Sequence, residues 1–371
     1  MITTLLGGLS PRQFLEEYWQ KKPLLVRQAI PGFTGLLAHD ALFDLACNPD
    51  VESRYIRHDN VEWTVEHGPQ RRSRLRGKRT PWTVLVQGLN LWLPAGDELL
   101  HRFDFIPQAR LDDLMVSYAV DGGGVGPHFD NYDVFLLQGC GQRRWQIADQ
   151  EDRSLVEGAP LRILKNFQPA QDWVLEPGDM LYLPPHWAHN GIAIGECTTY
   201  SIGFRSPTAS ELGAEFLGWM QDRLTLEGIY QDPDLQLHEN SAEISTTMVD
   251  RIATMLERIR WSRQDVADFI GHYLTEPKPQ IFFDPPEAPL SRKRFDQAVQ
   301  SKGYRLNART LLLWSETGFY LNGEKLHEAG EEPAELKVLA HHRQLEPGNY
   351  PVALLHVLYD WYCDGFGAPR G

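Results

Sequence analysis

Several features that would assign a protein class directly are missing from this sequence. Its four cysteines lie far apart and form no C-x-x-C pair, which argues against a disulfide framework or a cysteine zinc site and suits a reducing compartment. No apolar run approaches the roughly 20 residues that a membrane-spanning helix needs. The N-terminal residues have no basic segment followed by an apolar core, so we expect no signal peptide. Together these absences predict a cytoplasmic protein with no membrane partner.

Positive charge is also scarce. The 371 residues carry a formal net charge of −14 at pH 7, which disfavours non-specific binding to nucleic acid and suits a basic partner. Because the C-terminal part lacks an extended basic face, we expect no sequence-specific nucleic-acid partner either. The length exceeds one ordinary core, so two or three domains are expected.

The hydrophobic pattern changes twice along the chain. Up to residue 207, and most clearly from residue 111, short β-rich segments separated by Gly, Pro, Asp or Asn predict a sandwich or small barrel. Apolar residues at helical spacing follow, among them the segment 211–230. These helical stripes are too wide for three helices to bury alone. They pack either on a second subunit, which predicts a homodimer, or on the barrel.

A proline-rich stretch at residues 276–289 marks a further boundary. Beyond it, helices accompany a hairpin at residues 311–328, with Asn322 and Gly323 in a type I′ turn. Helices with a small hairpin predict a winged-helix-like domain. We therefore predict three domains: a mainly β catalytic domain at 1–207, a helical dimerisation domain at 208–277 and a winged-helix-like α+β domain at 278–371.

One stretch, PHFDNYDVFLLQGCGQRRWQI, combines metal-binding residue types with a strand pattern. It places His128 and Asp130 two residues apart, and side chains at i and i+2 of a strand leave the same face. A later stretch, PPHWAHN, offers His186 or His189 as a third ligand; its two prolines favour His186 in the turn and His189 on the following strand. Two histidines and one carboxylate with open positions are the ligand set of non-haem Fe(II) oxygenases.

A dicarboxylic co-substrate on such a metal needs a cation for its distal carboxylate, and the planar fork of arginine suits that role. In GQRRWQI, Arg143 and Arg144 face opposite sides of the predicted strand. Arg143 shares its face with a tryptophan, so it either binds an anion there or both arginines are exposed hairpin charges. Thr199 and Ser201 alternate to one face of a later strand and offer hydroxyls.

These stretches resemble the JmjC-type (cupin-like) bacterial ribosomal oxygenases, a family of protein-arginine hydroxylases. The resemblance is most specific between Asp112 and Pro207 and extends to EEYWQKKPLLVRQA near the start. It implies a double-stranded β-helix, then a helical dimerisation domain and a winged-helix domain. It also implies an enzyme that uses Fe(II), 2-oxoglutarate and dioxygen to hydroxylate an arginine of a large-subunit ribosomal protein.

The resemblance also implies roles for individual residues. The iron ligands it implies are His128, Asp130 and His189, with Arg143 binding the 2-oxoglutarate carboxylate. The residues it places in the substrate-arginine pocket are Asp113, Met115 and Tyr132. A carboxylate and a phenol can together hold a guanidinium, which makes Asp113 and Tyr132 the expected clamp. His186 stands where the family more often has glycine.

Two other functions remain open at this point. The same chemistry on another target, such as histidine hydroxylation or lysine demethylation, uses the same iron ligands and differs only in the substrate pocket. A non-enzymatic cupin that binds a metal or ligand and controls a winged helix on DNA fits the locally basic residues 291–310. That regulator leaves the complete metal triad unexplained.

Overall fold

The computed structural model describes residues 2–59, 62–77, 80–237, 240–326 and 333–371. They form two compact units, one comprising Met1–Pro207 with Gln280–Phe282 and the other Thr208–Pro279 with Phe283–Gly371. Residues 327 and 328, at the end of the predicted hairpin, lie outside the described ranges. Across these ranges we find no helix whose length and apolar character would let it span a bilayer.

The N-terminal unit is mainly β, as predicted. Its strands are β1 Leu24–Val26, β2 Ser53–His58, β3 Trp63–His67, β4 Trp82–Val86, β5 Leu111–Ala119, β6 Tyr132–Gln138, β7 Gln142–Ala148, β8 Gln171–Leu175, β9 Met180–Leu183, β10 Ala188–Ile194 and β11 Cys197–Arg205. Its helices are α1 Ile2–Leu5, α2 Pro11–Glu17, α3 His39–Cys47 and α4 Pro94–Leu100.

These strands form two antiparallel sheets. The larger has the order β1-β9-β6-β11-β5-β4-β2-β3, and the smaller has the order β10-β7-β8. Alternate residues of β6 point to opposite sides of the larger sheet. Val134 and Leu136 pack with Trp145 of the smaller sheet, whereas Phe135 and Leu137 join the core on the other side. Both faces of β6 are therefore buried, which explains its nearly continuous apolar sequence.

Helix α2 helps to close that outer core. Ser10 caps it in a reciprocal capping box with Gln13, and Pro11 occupies its first turn. Phe14 is fully buried, with its ring centroid 5.0 Å from that of Tyr182. The N-terminal helices thus cover one face of the larger sheet and leave the face toward the smaller sheet for the site.

The C-terminal unit combines helices with short strands. The helices are α5 Ala209–Gln221, α6 Thr246–Leu256, α7 Arg263–Thr275, α8 Arg292–Lys302, α9 Ala334–His342 and α10 Val352–Cys363. The strands are β12 Tyr304–Leu306, β13 Leu312–Ser315, β14 Gly318–Leu321, β15 Glu324–Lys325, β16 Gln344–Leu345 and β17 Gly367–Pro369. One three-stranded sheet has the order β16-β12-β17 and the other β13-β14-β15.

Helix α5 is shorter than predicted, and helix α7 packs on the C-terminal hairpin. The prediction of one helix over 211–230 was wrong at its C-terminal end, because α5 stops at Gln221 and the following residues include Thr225 and Gly228, which disfavour helix. Helix α7 packs on the hairpin, where the Tyr320 hydroxyl donates a 2.6 Å hydrogen bond to Asp268. The three predicted domain boundaries stay a prediction.

Candidate metal centre

Three side chains of the N-terminal unit converge as a possible ligand set. His128, Asp130 and His189 each offer one ligand atom, and these atoms lie within 4.8 Å of one another. The Asp130 Oδ2 atom is 3.6 Å from His128 Nε2 and 3.5 Å from His189 Nε2. Two imidazoles and one carboxylate on one side of a shared point match the donor chemistry of an Fe(II) site with open positions.

The way in which the backbone places this cluster differs from the expectation. His128 and Asp130 precede β6, which begins at Tyr132, so the prediction that both lie within a regular strand was wrong. An isolated antiparallel bridge pairs His128 with His189 instead, through N–H···O bonds of 3.0 and 2.9 Å. This bridge sets the two imidazoles side by side, with ring centroids 4.2 Å apart.

Backbone carbonyls orient both imidazoles. His128 Nδ1 lies 2.8 Å from the Gly126 carbonyl oxygen, and His189 Nδ1 lies 2.9 Å from that of Trp187. An Nδ1–H that donates to a carbonyl leaves Nε2 as the lone-pair nitrogen, which is the tautomer needed for a metal bond through Nε2. Each histidine is therefore preorganised as an Nε2 ligand.

The charges of the cluster act on one another. Burial and the Arg54 charge lower the pKa of His128, but the charge and hydrogen bond of Asp130 outweigh them and raise it above its ordinary value. Burial alone would raise the pKa of Asp130, yet His128 and His189 hold it well below its usual range. The carboxylate is therefore ionised near neutral pH, as a metal ligand must be.

His186 lies outside the cluster. It occupies the turn before β10 and is exposed, with its backbone in the left-handed region at φ 70°. Its N–H donates a 3.0 Å hydrogen bond to the backbone oxygen of Asp130. Glycine adopts a left-handed backbone conformation without steric cost, whereas a residue with a Cβ atom is strained there. A family preference for glycine at this position therefore has a physical basis.

A cavity of about 300 Å³ extends from the cluster between the two sheets and includes Arg143 in its lining. Arg143 is buried, 4% exposed, and its Nε and Nη2 atoms have no hydrogen-bond partner among the described residues. Its guanidinium carbon lies 5.8 Å from the centre of the Trp145 ring. Arg144, by contrast, is half-exposed and pairs with Asp172 at 2.5 Å. The two arginines thus face opposite ways, and the buried Arg143 carries two donors whose chemistry suits an anionic ligand.

Three further predicted side chains reach the same cavity. Met115, Thr199 and Ser201 all line it, and the Thr199 hydroxyl donates a 3.1 Å hydrogen bond to Gln138. Ser201 is 8% exposed and faces Met115 across the β11–β5 pair. The cavity therefore has hydroxyls on the larger sheet and a guanidinium on the smaller one.

Asp113 and Tyr132 are not part of the lining. They continue the cavity-facing sides of β5 and β6 by one alternation, beyond Met115 and Val134 respectively. A Cβ atom placed on Gly203 would lie 3.7 Å from the Tyr132 ring and 3.9 Å from Asp113 Oδ1. The two predicted clamp residues are thus neighbours beside Gly203, one step outside the cavity.

The sequence patterns missed several residues of the cavity. Arg54 on β2 lines it, as do Val125 and the loop residues Leu161, Arg162 and Ile163. Arg54 belongs to a region whose strands showed no clear period. No local sequence pattern pointed to Arg54, which the structure places between the buried Ser53 and Tyr55.

Known protein families match both parts of the chain. The JmjC domain matches residues 98–212, and the ROXA-like winged helix matches residues 258–366. The ribosomal protein uL16 3-hydroxylase of Escherichia coli (strain K12) is 33% identical over 92% of this chain and 91% of its own length. This chain belongs to the JmjC-domain ribosomal oxygenases.

Other ribosomal oxygenases agree in sequence and fold. A probable ribosomal oxygenase of Haemophilus influenzae is 35% identical over 79% of this chain and 72% of its own length. The structure of YcfD, a ribosomal oxygenase from Escherichia coli in complex with cobalt and 2-oxoglutarate, covers 98% of this chain and 99% of its own at 31% identity, with a TM-score of 0.82. The predicted family and fold class, a JmjC cupin followed by a winged helix, are confirmed.

Proposed function

We propose that this ribosomal oxygenase is an Fe(II)- and 2-oxoglutarate-dependent hydroxylase of an arginine side chain in a large-subunit ribosomal protein. The observation that carries the proposal is that a two-histidine, one-carboxylate cluster and a buried arginine with unpartnered N–H groups open into one cavity. The YcfD complex with 2-oxoglutarate and the uL16 3-hydroxylase support it by similarity. A ribosomal-protein substrate also implies a cytoplasmic enzyme.

In this proposal His128, Asp130 and His189 hold the iron through their Nε2 and carboxylate oxygen atoms. Iron bound there supplies, with 2-oxoglutarate and dioxygen, the oxidation that inserts one oxygen atom into a substrate C–H bond. Arg143 binds the distal carboxylate of 2-oxoglutarate through the two N–H groups that the described chain leaves unpartnered. Ser201 contributes a hydroxyl on the opposite wall of the cavity.

The substrate guanidinium would bind outside the cavity. Asp113 accepts a 2.9 Å hydrogen bond from the Gly88 N–H at Oδ2, which holds its carboxylate in place beside Tyr132. Burial and the neighbouring Asp112 raise the pKa of the Tyr132 phenol, so this hydroxyl stays protonated. Asp113 and Tyr132 would clamp the guanidinium while Met115 packs against its aliphatic stem. The clamp fixes which C–H bond is closest to the iron.

The test is to incubate large-subunit ribosomal proteins, the uL16 counterpart first, with enzyme, iron and 2-oxoglutarate. We expect succinate and one added oxygen on an arginine, and neither product from His189→Ala. Asp113→Ala should keep slow 2-oxoglutarate turnover but lose arginine hydroxylation. An added oxygen on a histidine would show that histidine, not arginine, is the target. Loss of a methyl group from a lysine would likewise show that lysine is the target. Salt-sensitive DNA binding without any succinate would favour the non-enzymatic regulator.

A further inference from the structure

A second arginine of the cavity has no assigned role. Arg54 donates a 3.0 Å hydrogen bond from Nη2 to Gln87 Oε1, which fixes the plane of its guanidinium. Its buried Nε atom has no hydrogen-bond partner within the described part of the chain. A buried donor without an acceptor costs free energy, and the charge on the guanidinium adds to that cost. Arg54 therefore has a donor that only a ligand or water can satisfy.

The strand register shows which wall Arg54 belongs to. Arg54 pairs with Leu85, Leu85 with Ser117, and Ser117 with Thr199 across β2, β4, β5 and β11. All four side chains line the cavity, so this row lies on the inner face of the larger sheet. Arg143 reaches the cavity from β7 of the smaller sheet. Two cations thus enter one cavity from opposite walls.

The charge of the lining favours a ligand with two anionic groups. The described lining residues include three arginines but only one carboxylate, that of Asp130; the arginines are Arg54, Arg143 and Arg162. A metal held by the triad would add further positive charge. Arg54, His128 and Asp130 all line this one cavity. Because Arg143 is assigned to the distal carboxylate, Arg54 on the opposite wall, whose buried Nε has no partner among the described residues, remains for the end that chelates the metal.

Resting on the proposed function, we propose that Arg54 is a positioning residue for the co-substrate, which hydrogen-bonds to the carboxylate at its 2-oxo-acid end. A 2-oxo dicarboxylate carries one anionic group at each end, and a guanidinium suits each of them. Arg143 then holds the distal carboxylate, while Arg54 orients the end that chelates the metal. Gln87 acts only through Arg54, by holding its guanidinium.

The test is an anaerobic titration of the iron-loaded protein with 2-oxoglutarate, followed by the visible charge-transfer band of an Fe(II)–2-oxo acid chelate. Loss of one charge-assisted hydrogen bond predicts a roughly 10- to 100-fold rise in Kd for Arg54→Met. At saturating 2-oxoglutarate the band maximum of Arg54→Met should move, because the lost contact is at the chelating end. Arg143→Met should raise Kd but leave the maximum in place. Arg54→Lys should be intermediate in both.

Matched variants separate this role from a structural one. Arg57→Met changes an arginine of the same strand that is partly exposed and pairs with Asp59 at 3.9 Å, and it should leave Kd and band unchanged. Gln87→Ala should act in the same direction as Arg54→Met but less, and it tests the proposal if Arg54→Met does not fold. An unchanged Kd, or a higher Kd with an unmoved band, overturns the role of Arg54. Failure of the wild-type protein to bind 2-oxoglutarate refutes the proposed function instead.

Discussion

Replacing Arg143 with methionine should stabilise the metal-free protein and remove most of its stabilisation by ligand. Arg143→Met keeps much of the side-chain volume and removes a charge that is 4% exposed. Two of its donors, Nε and Nη2, have no partner among the described residues, and each unsatisfied buried donor costs about 1–3 kcal/mol. The contact with Trp145 returns about 0.5–2 kcal/mol. The free energy of unfolding should therefore rise by between about 0 and 5.5 kcal/mol, with a midpoint near 3 kcal/mol.

The stabilisation of the protein by 2-oxoglutarate should, in contrast, decrease in Arg143→Met. In wild-type protein with Mn(II), 2-oxoglutarate at 100 times its Kd adds about 2.7 kcal/mol of stability. Removing one partner of a buried charge pair costs at least about 2 kcal/mol, or roughly 30-fold in Kd. Most of the ligand-induced rise in Tm should then disappear at the same 2-oxoglutarate concentration. A buried arginine with a purely structural role would show neither the gain nor this loss.

The assay is thermal unfolding followed by circular dichroism, with and without Mn(II) and 2-oxoglutarate. For a domain of this size, each kcal/mol corresponds to about 2–4 °C in Tm. Arg144→Met is the matched control, because Arg144 is half-exposed and paired with Asp172; it should leave Tm and the ligand response nearly unchanged. A lower Tm of metal-free Arg143→Met, or a preserved ligand response, would refute the reasoning.

Three further predictions concern pH, substrate access and assembly. In metal-free protein, protonated His128 should stabilise the fold fully below pH 6.5 and lose that effect as pH rises through its raised pKa; a pH series of Tm should show a smaller fall for His128→Asn. Gly203→Val should fill the space beside the clamp and lower kcat/KM for the substrate protein by about 10- to 100-fold, with an unchanged 2-oxoglutarate Kd as its control. We propose that the exposed Val249 and Leu256 of α6 pack in a homodimer, so Val249→Asp with Leu256→Asp should yield monomers in sedimentation velocity, whereas a monomeric wild type at micromolar concentration would contradict the dimer.

Sequence patterns predicted which residues form the site more accurately than they predicted the backbone conformation of those residues. The close spacing of His128 and Asp130 predicted that they converge, and they do, but an isolated bridge to His189 replaces the predicted strand. A bridge between residues 61 positions apart depends on how two sheets meet, which no local period encodes. The alternation of Arg143 and Arg144 could be predicted, because it follows from the two-residue period of one strand.

Other parts of the cavity could not be predicted from local patterns. Arg54 reaches it only because β2 joins the larger sheet through β4 and β5, and its strand carries no clear alternation of apolar residues. The relation of Asp113 and Tyr132 to Gly203 likewise depends on the register of β11 with two neighbours. Such long-range strand pairings bring together side chains whose proximity is not encoded in any single segment of the sequence.

The most direct measurement of the central claim is tandem mass spectrometry of the uL16 counterpart after reaction under isotopically heavy dioxygen. We expect one heavy oxygen atom on an arginine side chain, formed together with an equal amount of succinate. No label should appear when His189→Ala replaces the wild-type enzyme. An unlabelled arginine in a reaction that produces succinate, or an oxygen on a different residue type, would contradict arginine hydroxylation by this metal centre.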